Sequence, residues 1–163
     1  MKNFIELCQH IKRRPSMWLW PVKYYSAANL VIGYDVAMDE LLLEGFREWI
    51  ILKLGERCNW HWIRHIPLLV FPETPFLFEE WSEVKASPEQ EKMAICRLFD
   101  ELEEFYLVKK DRDKGLHWIY AQYDELCRKE DERIDREYDE EFGNESESMP
   151  CAYNVYNPEN DEA

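Results

Sequence analysis

The chain contains little glycine and no long apolar run. Only five glycines occur among its 163 residues, and none are clustered, so a glycine-rich phosphate-binding loop is excluded. The longest apolar-rich pieces, residues 49–54 and 66–71, are far shorter than the ~20 residues of a membrane span. The first residues include Glu6 and no small-residue cleavage site, which argues against a signal peptide. We therefore expect no membrane association.

The cysteines are far apart in the sequence, and their number is odd. Disulfide frameworks usually show an even count in a shorter, secreted chain. Reduced thiols in a cytoplasm are the better interpretation, and the sequence predicts a cytoplasmic protein. The five cysteines lie far apart, at Cys8, Cys58, Cys96, Cys127 and Cys151.

Recognisable catalytic motifs are absent from the sequence. There is no Gly-x-Ser-x-Gly elbow and no cysteine within a known nucleophile signature. Neighbouring acids such as Glu103 and Glu104 would point in different directions on a helix, which does not suit an acid–base pair. We predict that the protein is not an enzyme and uses no cofactor.

One metal site is conceivable. Cys58, His61 and His65 follow one another at steps of three and four residues, which would let them share one helix face. A structural zinc site needs four ligands, and no fourth Cys or His lies nearby. Trp60 and Trp62 crowd the same segment, so packing explains the pattern equally well. We predict that this segment binds no metal. An enzyme or metal protein that uses these three residues is the third hypothesis, after the two functions given at the end of this subsection.

Apolar residues are plentiful and recur mostly at helical spacing. Hydrophobic residues make up 46% and aromatic residues 15% of the chain, which suffices for a folded core at this length. Ser26 is expected to cap a helix whose apolar stripe runs to Leu41, with a close helix contact at Gly33. Ser87 and Pro88 are expected to begin another helix. A last helix is expected from near Leu116 to Gly143.

The expected fold is mostly α. We predict a compact helical domain of about five helices with a long acidic C-terminal helix and a flexible tail. The helical domain would span residues 1–128, the projecting acidic helix end residues 129–143 and the flexible acidic tail residues 144–163. Residues 59–86 are not assigned; residues 68–71 fit either a short strand or a buried extended segment.

Negative charge is concentrated near the C-terminus. Residues 124–163 carry 15 acids and four bases, whereas the first 123 residues carry 19 acids and 16 bases, in a chain of net charge −14. Such a field repels nucleic acid and attracts basic protein surfaces, so we predict a basic protein partner and no direct nucleic-acid binding. The alternative is that this segment is only a solvated terminus. The predicted partner-binding residues are Asp131, Glu132, Asp135, Glu137, Asp139, Glu140 and Glu141.

The N-terminal part of the chain resembles a largely uncharacterised family of small bacterial proteins that are regarded as immunity proteins of polymorphic toxin systems. The likeness covers roughly residues 4–66 and rests on RPSMWL at 14–19, ANLVIGYDVA at 28–37 and FREWIILK at 46–53. The proline-rich segment 67–87 and the acidic extension after Tyr123 depart from the family pattern. The resemblance implies an inhibitor that binds a cognate toxin domain and neutralises it.

Two functions therefore follow from the sequence. The first is an acidic, immunity-type inhibitor of a bacterial toxin, whose basic cleft the acids would find by electrostatic steering. The alternative is a nucleic-acid mimic that occupies a DNA- or RNA-binding protein, as an antirestriction or anti-defence factor would. The sequence does not indicate an oligomeric state.

Overall fold

The protein is mostly α-helical, as the sequence predicts. The computed structural model describes residues 4–74, 76–79 and 82–142, and within these ranges it contains no strand. The helices are α1 Phe4–Arg13, a short 3-10 helix Pro15–Met17, α2 Tyr24–Ala37, α3 Phe46–Leu54, α4 Trp62–Leu68, α5 Pro88–Lys110 and α6 Gly115–Phe142. The expected stop at Gly143 and the expected tail lie outside the described residues.

Helix α5 is the central element of the core. It contacts each of the first four helices. Its start is the predicted one: the Ser87 Oγ accepts from the Gln90 backbone N–H at 3.2 Å, and the Gln90 Oε1 accepts from the Ser87 N–H at 2.8 Å. This reciprocal capping box satisfies two backbone donors that a helix start leaves unpaired. The buried side of the helix presents Ala94, Ile95, Leu98, Phe99, Leu102 and Phe105.

Helix α2 is displaced from its predicted bounds at both ends. It begins at Tyr24, so the expected cap at Ser26 is wrong. The Tyr24 backbone N–H donates instead to the Glu91 Oε2 on α5, at 2.6 Å. A side chain distant in sequence therefore supplies the acceptor that a local cap would provide.

The end of α2 comes at Ala37, before the predicted Leu41. Asp39 and Glu40 adopt left-handed backbone angles, with φ of 56° and 60°, and this stops the helix. The Asp35 Oδ1 then accepts from the Leu43 N–H at 2.9 Å. Lys109 holds the same turn from α5 by donating to backbone carbonyls, including that of Glu44 at 3.0 Å.

Helix α4 forms in the segment that the sequence left unassigned. It contains Pro67, which cannot donate to the carbonyl four residues earlier. That carbonyl belongs to Ile63, and it accepts from the buried Tyr24 hydroxyl at 2.6 Å. Burial raises the pKa of Tyr24 well above its ordinary value, so the hydroxyl stays protonated and donates. Residues 69–70 form a turn rather than a strand.

A buried carboxylate joins α3 to α5. Glu101 is 2% exposed. Its Oε2 accepts from the Trp49 Nε1 at 2.9 Å, and its Oε1 lies 2.6 Å from the Arg97 Nη2. Burial of a charge is tolerated where both oxygens have partners of this kind.

Gly33 does not mark a close helix contact, so that expectation is wrong. The residue is exposed, and a Cβ built at this position meets nothing within 4 Å. No steric constraint therefore requires a glycine at this position of the helix.

Gly33→Ala is expected to raise the free energy of unfolding by about 1 kcal/mol, because alanine loses less backbone entropy than glycine inside a helix. Urea denaturation followed by circular dichroism measures the change. Destabilisation by this substitution would show that the position is constrained after all.

The chain divides into two compact units, Met1–Arg128 and Lys129–Ala163. In the first unit, the beginning of α6 is packed into the core by Ile119, which is fully buried. Across the described ranges, no helix combines the length and the apolar character needed to cross a membrane.

Candidate protein-interaction surface

The second unit presents a charged helical surface. Between Lys129 and Phe142, where α6 ends, the sequence holds eight acids and three bases. All the side chains from Asp131 to Glu141 are exposed. The seven predicted partner-binding acids all lie in this stretch.

Helical periodicity separates most of these acids into two rows. Residues four apart lie within about 40° of one another around the axis. One row therefore consists of Asp131, Asp135 and Asp139, with Glu132 at its outer side. The other consists of Glu137 and Glu141, and it also includes Glu130, which is not one of the seven predicted acids.

An apolar strip lies between the two acidic rows. It consists of Ile134 and Tyr138, one turn apart on α6 and exposed by 49% and 64%. Exposed apolar side chains with a charged rim are typical of a protein-binding surface. We call the strip and the two rows together the acidic–apolar face.

The bases lie on the side of the helix away from the strip. Lys129, Arg133 and Arg136 share that side with Glu140, so Glu140 does not belong to the acidic–apolar face. Arg133 Nε lies 3.8 Å from the Glu137 Oε1. An exposed pair at this distance contributes little to stability, and the acid remains accessible to a partner's cation.

The sequence predicts the seven acids as one surface, and the apolar strip is not among the predicted residues. The signal was present: Ile134 and Tyr138 stand four residues apart, which places them on one helix face. They continue the spacing of Ile119, which is buried, and of Tyr123 and Cys127, which are half-buried. In the sequence they therefore resemble the end of a core-facing stripe.

The three residues of the conceivable metal site do not share a helix face. Cys58 lies in the loop before α4, His61 is the N-cap of that helix and His65 lies within it. The His61 Nδ1 accepts from the Ile63 backbone N–H at 3.4 Å. Among the described residues, no group of three or more histidine, cysteine or acidic side chains is placed to hold a metal ion.

His65 is instead a fully buried histidine. Neither of its ring nitrogens has a hydrogen-bond partner within the described part of the chain. Burial, together with the nearby charges of Arg47 and His61, lowers its pKa to about 4. The ring is therefore neutral at physiological pH and behaves as a core side chain.

No family model, no curated protein and no solved structure matches this chain.

Proposed function

We propose that the protein is a non-catalytic, acidic inhibitor of the immunity type, which neutralises a bacterial toxin by binding its basic surface. The acidic–apolar face carries this proposal. It presents Ile134 and Tyr138, exposed, between two rows of carboxylates. The resemblance of residues 4–66 to immunity proteins supports the same function.

The two parts of the face have different roles in binding. The carboxylate rows steer a cationic partner toward the face and orient it, which raises the association rate and depends on salt. The apolar strip supplies area that leaves water on contact, which gives salt-independent affinity. Tyrosine is among the residues that most often dominate binding energy at interfaces.

A nucleic-acid mimic remains the second candidate. One acidic row repeats every four residues, or about 6 Å along the axis, and regularly spaced negative charge is what a phosphate-binding protein recognises. The apolar strip favours the first candidate. A mimic of the phosphate backbone needs no exposed apolar side chains, because the backbone itself has no apolar counterpart. Competition between DNA and this protein for the captured partner discriminates the two functions.

Neutralising the seven predicted acids (Asp to Asn, Glu to Gln) is expected to raise the partner's Kd by about tenfold to a hundredfold at low salt. The slope of Kd against salt should also flatten, because most of the steering charges are gone. Isothermal titration calorimetry at several salt concentrations measures both effects.

A control variant tests whether binding depends on this local surface or only on the net charge of the protein. It neutralises seven exposed acids of the first unit instead, so that the net charge changes by the same amount. These are Glu6, Asp39, Glu40, Glu56, Glu73, Glu83 and Asp113. The control should leave Kd within about twofold of the unmodified protein. Equal losses in both variants would contradict a binding role for the acidic–apolar face.

A further inference from the structure

A second surface, on the first unit, has the opposite charge. It consists of His10, Arg13, Arg14, Met17, Trp18 and Trp20, and we call it the basic–aromatic patch. His10 and Arg13 lie in the last turn of α1, and Arg14 lies between α1 and the short 3-10 helix. Met17 ends the 3-10 helix, and the two tryptophans follow it.

The cations of this patch have no acidic partner among the described residues. Their neighbour Lys12 differs, because its Nζ lies 2.7 Å from the Asp100 Oδ1 and 2.8 Å from the Glu103 Oε1. His10, Arg13 and Arg14 form no such ion pair. In a chain with 34 acids, two adjacent arginines and a histidine without a carboxylate partner leave room for a carboxylate from another molecule.

The aromatic part is exposed but held firmly by its backbone. Trp18 is 46% exposed and Trp20 is 93% exposed, whereas Leu19 between them is 2% exposed. The N–H groups of Trp18 and Leu19 both donate to the Pro15 carbonyl, at 2.9 and 2.8 Å. Leu19 therefore anchors the loop, and the two indoles are presented outward. Trp and Arg are the residue types most enriched among binding hot spots.

Trp18 lies between two cavities of different character. One is a cleft of about 440 Å³ lined by His10, Arg13, Arg14, Met17 and Trp18. The other is an apolar cavity of about 190 Å³ whose walls include Phe4, Ile11, Tyr34 and Trp18. An apolar cavity of about 150 Å³ accommodates a benzene ring, so this one has room for a leucine or phenylalanine side chain.

Cys8 also lines the apolar cavity, and it adds no charge there. Burial raises the pKa of its thiol to about 12. The thiol is therefore protonated at physiological pH, and the cavity offers an apolar side chain a neutral wall.

We propose that the basic–aromatic patch binds an acidic protein segment that inserts an apolar side chain into the cavity beside Trp18 and places adjacent carboxylates on Arg13 and Arg14. The arginines can hold carboxylates by paired, charge-assisted hydrogen bonds. A peptide is favoured over an anionic membrane or a nucleic acid because two adjacent arginines are fewer than the basic clusters that such extended anionic surfaces require. The cleft and the apolar cavity beside Trp18 are also of side-chain size.

The test uses the full chain and a short fluorescein-labelled peptide with a central Phe-Leu pair flanked by Asp and Glu. Fluorescence anisotropy gives its Kd. Arg13→Gln combined with Arg14→Gln should raise Kd by about tenfold or more, and both side chains are exposed, so the fold is kept. The matched control combines Lys92→Gln with Arg112→Gln, also exposed, and should leave Kd unchanged.

Two further arms complete the test. The same peptide with Asn and Gln in place of its acids should bind at least about tenfold more weakly. The variant with neutralised acids on α6 should bind the peptide as the unmodified protein does, which separates this surface from the proposed function. The proposal is overturned if the arginine variant binds the peptide normally. It is equally overturned if phosphatidylglycerol vesicles or single-stranded DNA, and not the peptide, bind through Arg13 and Arg14.

Discussion

Phe105→Ala is expected to lower the free energy of unfolding by about 3–5 kcal/mol. The Phe105 side chain is 1% exposed. Its ring centroid lies 5.2 Å from that of Phe46 and 6.3 Å from that of Trp49, so it joins α5 to α3. Removing the ring loses the buried area and leaves a cavity that rigid aromatic neighbours fill poorly. Equilibrium urea denaturation, followed by tryptophan fluorescence and circular dichroism, measures the effect.

The matched control is Leu107→Ala, two residues along the same helix. Leu107 is 60% exposed, and truncating it should change the free energy of unfolding by no more than about 0.5 kcal/mol. Equal, small effects at both positions would mean that α3 and α5 do not share the described core.

Acidification is expected to destabilise the protein by roughly 3 kcal/mol through His65 alone, at about 1.4 kcal/mol for each unit of pKa. In the folded protein the pKa of this imidazole is lowered from 6.5 to about 4. The unfolded chain therefore binds more protons between these two values, so stability is full above pH 6.5, falls as the pH falls and levels off below about 4.

His65→Phe isolates this contribution. Phenylalanine has a similar shape and no polar atoms that need partners, so the variant should match or exceed the unmodified protein in stability near neutral pH. The variant should also lack the loss of stability that His65 causes between pH 6.5 and about 4. His117→Gln, at an exposed position, is the control and should keep that destabilisation. Parallel pH curves for the unmodified protein and His65→Phe would mean that the described burial of His65 is wrong.

Local sequence signals predicted part of the fold correctly. The capping box at Ser87 and Gln90 is formed by residues three apart, and α6 begins at Gly115, next to the predicted Leu116. Each of these features depends on neighbours in the chain, which a sequence displays directly.

The errors in the predicted fold come from long-range contacts. The first turn of α2 is capped by Glu91, 67 residues away, and the turn that follows the helix is held by Lys109. Helix α4 tolerates Pro67 because Tyr24 donates to the carbonyl that the proline leaves without a donor. No local pattern reports partners at such a distance.

The candidate site was predicted in composition but not in arrangement. Counting charge located the acids, because charge is a property of single residues. The division into two rows around Ile134 and Tyr138 requires the helix to be known as continuous to Phe142. The cations of the basic–aromatic patch were visible in the sequence, but their lack of acidic partners is a tertiary property, as the contrast with Lys12 shows.

The central claim is that the acidic–apolar face binds a basic protein. The most direct measurement is affinity capture from the native host with the full chain, the variant neutralised on α6 and the charge-matched control, followed by identification of the bound protein. We expect one basic protein to be retained by the full chain and the control but not by the α6 variant, with a Kd that rises steeply with salt. Retention of the same partner by all three baits, or of a partner without a basic surface, would contradict the claim.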